Sequence, residues 1–380
     1  MRFIIIIFTI CTVIIFFGCK DKPKNTDEQQ KGIKEFESIY VSIGKKQKEL
    51  IFNFERIEKN TKERNWKIVN CKKKFTIGGV DNELLLFPAW VKTDINKNLY
   101  VLDLIDCSVK KFDSLGHFKA KYGSKGSGPG EFNNPMHFDV TKDGKKVAVM
   151  SPNDNKFAVF ESNKISEFKC TYMPHRLRFV SPDEIVVFQH FNPILTSPFL
   201  KINYVLDETE SYENILSPKS FGGKDYGMLP FLIGNINIYN IKQLVYVSYI
   251  MGYVVIYSQN GKIEKTFKLI DEVKASGISK KEIQVQGEDS PMVKYPHPSE
   301  YLFDESCVVG DLLYTVKLDF NEDSDSDLAL IDVYSLVTGN YMYSLNISGK
   351  GKLVSVYFTE DEFYLVKQNT EVEVYKYKIN

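Results

Sequence analysis

Five histidines are spread along 380 residues, and three of them stand where they could do chemistry. His137 opens the run "HFDV", and His175 opens the matching run "PHRLRFV", with Arg176 and Arg178 close behind. His190 follows in the segment "QHFNPILTSPF" at 189–199. Imidazole nitrogens converging on one place suit a divalent metal, and a metal there would serve a hydrolase or lyase. No carboxylate shares their spacing. The competing and preferred reading is therefore packing, hydrogen bonding and ligand contact by His137, His175, Arg178 and His190, with no cofactor and no catalytic residue.

Two other stretches invite chemistry. "DFNEDSDSD" at 319–327 sets oxygens at Asp319, Asn321, Asp323, Asp325 and Asp327, a hard-oxygen pattern that suits calcium. It lacks the glycine at the sixth position, and Leu330 stands where a bidentate glutamate belongs, so a solvated hairpin tip is the better expectation. "GSKGSGPGEFNNP" at 123–135 has the glycines and lysine of a phosphate loop. A phosphate cradle needs a helix after its glycines, so that helix N-terminal amides meet the anion, and the pattern here offers a strand instead. There is no G-x-S-x-G, no H-E-x-x-H and no Walker lysine followed by Ser or Thr. Among 22 tyrosines and 27 phenylalanines, most lie in strand-like runs. Tyr226, Phe231, Tyr295 and Tyr301 fall in or beside long insertions and are candidates for stacking on a glycan ring or an extended peptide.

What must position these residues is a β framework. From about residue 65 the chain consists of short alternating or apolar runs cut by turn residues. One run recurs: "NLYVL", "KVAVM", "EIVVF", "QLVYV", "DLLYT" and "EFYLV". Each is preceded by one strand-like run and followed by another. Five units carry a fourth ("HFKAKYG", "ISEFKC", "YENIL", "IEKTFKL", "YMYSLNI"), and the sixth ends with the chain at Asn380. The missing strand lies at the other end, because "CKKKFTIGGVDNELLLFPAW" parallels "HFKAKYGSKGSGPGEFNNPMHF". The expected fold is all-β: a six-bladed β-propeller of four-stranded antiparallel blades, closed by an N-terminal strand in the last blade.

The segment "NLYVLDLIDCSVKKFDSLGHFKAKYGSKGSGPGEFNNPMHFDV" resembles an NHL-type propeller repeat. With the N-terminal features below, the chain resembles the six-bladed β-propeller lipoproteins of Bacteroidetes, NHL-like or TolB-like, over residues 65–380. The resemblance implies the fold and little about activity.

The first eighteen residues, "MRFIIIIFTICTVIIFFG", read as a secretory leader. "FFGC" resembles a bacterial lipobox, with Cys19 as the acylated mature N-terminus and Phe16 in place of the usual leucine. Residues 19–36 are a polar tether, in which "CKDK" partly resembles the export signal of Bacteroidetes surface lipoproteins, and 37–380 is the propeller domain. These features place the chain in the cell envelope, lipid-anchored in the outer membrane, as a monomeric propeller. The 49 basic and 49 acidic residues balance, with no basic stripe, which argues against nucleic acid. Cys71, Cys107, Cys170 and Cys307 show no metal or redox spacing and read as buried free thiols, with one long-range disulfide as the alternative.

In this register the tight turns ("TDINKN", "TKDGK", "SPDE", "TEDE", "SLGH", "SNKI", "QNGK") fall on one face. The long insertions at 189–199, 217–231, 269–300 and 318–327 fall on the other. Insertions collected on one face mark the binding face of a repeat fold. The expected function is non-catalytic binding of a protein, peptide or glycan through that face, with a metal-dependent hydrolase or lyase as the alternative.

Overall fold

The computed structural model describes residues 39–43, 46–50, 60, 63–79, 84–189, 197–217, 232–240, 242–271, 304–319, 326–368 and 370–380. Six four-stranded antiparallel sheets form the blades. Blade 1 runs Pro88–Thr93, Leu99–Asp103, Ser108–Phe112 and Phe118–Tyr122. Blade 2 runs His137–Val140, Lys146–Ser151, Lys156–Glu161 and Lys164–Lys169. Blade 3 runs Pro174–Ser181, Glu184–Gln189, Phe199–Asn203 and Glu208–Ser211. Blade 4 runs Gly234–Tyr239, Gln243–Ser248, Tyr253–Tyr257 and Ile263–Lys268. Blade 5 runs Glu305–Val309, Leu312–Asp319, Ser326–Ser335 and Tyr341–Lys350. Blade 6 runs Leu353–Phe358, Glu362–Lys367 and Glu371–Ile379, and Val69–Gly78 is its outermost strand.

That last pairing closes the ring as the sequence pattern predicts. Ile379 lies opposite Val69 and Glu371 opposite Gly78, so both ends of the propeller share one sheet. A separate antiparallel pair, Ile39–Ile43 with Lys46–Leu50, belongs to no blade. Cys71 on the closing strand is exposed, which corrects the expectation of a buried thiol: an outermost strand has only one neighbour to cover it. Cys107 and Cys307 are buried, Cys170 is half-buried, and all four are unbridged.

The near-continuous apolar character of the second strands has a physical cause. Successive strand side chains point to opposite faces, and in a blade both faces meet another blade. In blade 2, Val147 and Val149 pack towards blade 1, while Ala148 and Met150 pack towards blade 3. In blade 4, Leu244 and Tyr246 join the core with blade 3, and Val245 and Val247 join the core with blade 5. Tyr364 and Val366 of blade 6 share a core with Val91, Val101 and Phe112 of blade 1, so the seam between the chain ends is packed like every other seam. Each of the valine, leucine and methionine side chains contributes about 1.5–3 kcal/mol by leaving water.

One strand differs from expectation. "YENIL" (212–216) is not the fourth strand of blade 3; Glu208–Ser211 is. The preceding turn uses Asp207 at φ 56°, with Val205 and Leu206 exposed at its tip. Tyr212, Ile215 and Leu216 instead lie in the core between blades 3 and 4, so their apolar pattern reflects burial rather than pairing.

Candidate functional site

Each inner strand starts at the same end of the ring, and the second-to-third and fourth-to-first connections join strand ends there. The other end has short turns, such as Asp94–Asn98, where the Asp94 carboxylate accepts the amides of Asn96 and Asn98. The segments 190–196, 218–231, 272–303 and 320–325 all join strand ends at the starting end and lie outside the described residues. His190, Tyr226, Phe231, Tyr295, Tyr301 and the middle of the acidic stretch fall within them, and Cys19 is also outside. Of that acidic stretch, Asp327 is spoken for: its carboxylate accepts the Leu353 amide at 2.8 Å and the Lys352 ammonium at 3.1 Å.

The glycine-rich segment at 123–135 is a blade connector whose amides are already engaged. Glu131 folds its carboxylate back to accept the Gly128 amide at 2.8 Å. A Cβ on Gly126 would stand 2.1 Å from that carboxylate oxygen, and one on Gly123 would stand 2.8 Å from the Phe132 ring. The protein's own carboxylate fills the place a phosphate would need.

His137, His175, Arg176 and Arg178 do come together, at the starting end of the axis. On the inner strand of blade 2, Phe138 and Val140 are committed to the core with blade 1, so the alternate positions His137 and Asp139 are left to face blade 3. The Leu177 amide meets His137 Nδ1 at 3.4 Å, and the Phe179 amide donates to Asp139 at 2.9 Å. On blade 3, Leu177 and Phe179 are the core residues, which frees Arg176 and Arg178 to reach across. Arg178 Nη1 lies 2.6 Å from His137 Nε2 and also donates to the Leu177 carbonyl. Arg176 donates to Tyr249 of blade 4 at 3.2 Å and to the His175 carbonyl at 3.0 Å. Its guanidinium centre stands 5.6 Å from the centroid of Trp90 of blade 1, two blades away.

The electrostatics follow from this crowding. Burial, then Arg178 and Arg176, push the His137 pKa well below the ordinary imidazole value. Its imidazole is therefore neutral, with Nε2 taken up by a cation, which is the wrong arrangement for a metal ligand. Among the described residues no group of three or more His, Cys, Asp or Glu has metal-binding geometry.

Several participants carry no motif and escape a motif search. Trp90 and Lys92 occupy alternate positions on the inner strand of blade 1, and the Lys92 ammonium lies 4.9 Å from the Tyr357 ring centroid of blade 6. Burial, then Arg178, bring the Lys92 pKa down to about 8, against the opposing pull of Asp139 and Glu305. Asn235 and Asn237 of blade 4 donate to Glu305 and Ser306 of blade 5. Their common signal is polar residues at every second position of an inner strand, where the pattern elsewhere is apolar.

The fold agrees with one solved structure, and two others are similar at a lower level. A solved member of the DUF4221 family from Bacteroides vulgatus superposes with TM-score 0.53 at 12% identity, covering 84% of this chain and 99% of its own. Virginiamycin B lyase from Staphylococcus aureus gives 0.49 at 11% identity, covering 81% and 99%. An exported protein from Bacteroides fragilis gives 0.47 at 11% identity, covering 85% and 99%. No curated protein sequence matches. The family model DUF5128, described as 6-bladed beta-propeller, matches residues 90–289. With its six blades, closed seam and more than half its length matched, the chain belongs to this six-bladed β-propeller family.

Proposed function

We propose that the protein is a non-catalytic, envelope-anchored binding propeller that takes a protein, peptide or glycan at the starting end of its axis. The observation that carries this reading is the placement of the long connections. They gather at the end where Trp90, His137, Arg176 and Tyr249 meet, while the opposite turns are short and internally bonded. Rigid β scaffolds present binding residues in this manner. In this reading residues 1–18 are a leader, Cys19 carries lipid, 19–36 is a tether and 37–380 holds the propeller. The lipobox-like "FFGC" supports that placement.

The test uses full-length protein in detergent on glycan and peptide arrays. Binding lost on deleting 272–303, and kept when the opposite-end turn variant Asn96→Ala is used, supports the reading. Stoichiometric metal in the purified protein, lost in the His137→Ala and His175→Ala double variant, overturns it in favour of a metal hydrolase or lyase. Incorporation of labelled fatty acid that disappears in Cys19→Ala checks the anchor.

A further inference from the structure

Three cations line the axis, and each lacks a directly bonded acid among the described residues. Arg176 and Arg178 are 6% and 3% exposed, and Lys92 is half-buried beside the Tyr357 ring. Among the described residues none of the three has a carboxylate within ion-pair distance, whereas buried Lys110 has Asp103 at 2.9 Å and Lys367 has Glu373 at 2.8 Å. The same fold therefore pairs buried Lys110, Lys146, Lys156 and Lys367 with acids, and leaves these three cations without a carboxylate partner among the described residues.

Their donors are also incompletely used. Arg178 spends Nη1 on His137 and the Leu177 carbonyl, and its other two nitrogens meet no acceptor among the described residues. Arg176 Nε is buried and meets no acceptor among the described residues. The Lys92 ammonium lies over the Tyr357 ring and meets no hydrogen-bond acceptor among the described residues. The two nearby acids, Asp139 and Glu305, act on Lys92 through space but bond to neutral donors, the Phe179 amide, Asn235 and the Ser306 amide, which leaves three cations against two carboxylates. A buried guanidinium without a counter-ion is costly. An oxyanion placed among these groups would satisfy donors and charge together, since a guanidinium binds carboxylate or phosphate through paired N–H groups.

We propose that Lys92, Arg176 and Arg178 line an anion site along the axis, with Arg176 towards its starting end and Lys92 deeper in, which holds a carboxylate or phosphoryl group of the ligand. Trp90, on whose ring Arg176 rests, orients that guanidinium and presents an apolar surface beside the anion. The site rests on the binding reading above and narrows its ligand to an anionic one. His137 acts here as a positioning residue, holding Arg178 from the side of blade 2.

The experiment is calorimetric titration of full-length protein in detergent, at constant ionic strength, with inorganic phosphate, glucuronate and neutral glucose as probes. Saturable binding of phosphate or glucuronate, with none for glucose, is the expected result. The anion that binds identifies a phosphoryl or a carboxylate source, and binding of both marks a general oxyanion site. Lys92→Gln combined with Arg178→Gln should raise Kd at least about tenfold, while Arg178→Lys, which keeps the charge, should lose less. Circular dichroism melts of both variants establish that they fold. Absence of saturable anion binding, or equal binding by the folded double variant, overturns the proposal. Loss of array binding on loop deletion with anion titration intact separates the fate of the wider reading from that of this site.

Discussion

Arg178 Nη1 stands 2.6 Å from His137 Nε2, so a side chain of blade 3 is held by an imidazole of blade 2. The contact requires a neutral imidazole, because a protonated ring would present an N–H to a guanidinium N–H. Burial and the two arginines keep it neutral in the fold.

The acid response of the fold follows from that contact. The unfolded chain takes a proton on this histidine below about pH 6.5, and the folded protein does not. The contribution of neutral His137 is complete above that pH and is lost as pH falls towards the depressed folded value. Denaturant melts from pH 7 to pH 5 should show wild type losing stability relative to His137→Gln, by at most about 1.4 kcal/mol per pH unit. Parallel curves for the two proteins would show that His137 is protonated in the fold.

Lys92 gives an alkaline window with the same sign. Its folded pKa of about 8 lies below the ordinary 10.5, under burial and Arg178, with Asp139, Glu305 and Cys307 pulling the other way. Between those values the unfolded chain binds more protons, so stability rises with pH across the window. Lys92→Met should abolish the rise, and melts at pH 7.5, 9 and 10 measure it. Phosphate at the proposed site favours the charged amine, so it should move the onset of the rise upward in pH.

Asp103 anchors the second strand of blade 1 to the segment that leads into the blade's inner strand. It is fully buried, accepts the amides of Leu86 and Phe87 at 2.7 and 3.0 Å, and pairs with Lys110. Asp103→Ala leaves two amides without their acceptor and Lys110 with Asp106 as its remaining acid at 3.0 Å, and should cost about 1–3 kcal/mol in chemical denaturation. Lys110→Met with Asp103→Ala should recover part of that loss, because the half-paired ammonium is gone.

The ring was legible in the sequence because each blade repeats one strong signal, a doubly buried second strand such as "KVAVM" or "EIVVF". The closure was legible because "CKKKFTIGG" and "HFKAKYG" share a pattern that only pairing explains. "YENIL" misled because Tyr212, Ile215 and Leu216 are apolar through burial between blades, and periodicity alone does not separate burial from pairing. At the axis, His137, His175 and Arg178 stood out by residue type, whereas Lys92 and Trp90 lie in an ordinary strand. What joins them is contact between blades far apart in sequence, such as Lys92 with Tyr357. No local spacing encodes that.

The closing strand supplies the sharpest test of how the ring is held. Gly78 sits at φ 79°, and a Cβ there would stand 2.2 Å from the Thr370 carbonyl oxygen of the neighbouring strand. That carbonyl accepts the Gly79 amide at 3.0 Å, just past the last paired residue. Gly79 also has positive φ, at 115°, but a Cβ on it meets nothing within 4 Å. Both alanine variants pay for an unfavourable backbone conformation, of order 1–2 kcal/mol. Only Gly78→Ala must also push the two strands apart where the chain ends meet. Gly78→Ala should therefore melt well below Gly79→Ala, and by a single transition, because loosening this seam opens the core shared by blades 6 and 1. Equal melting temperatures for the two variants would mean that the seam yields without resistance and that the ring is held by the other five cores.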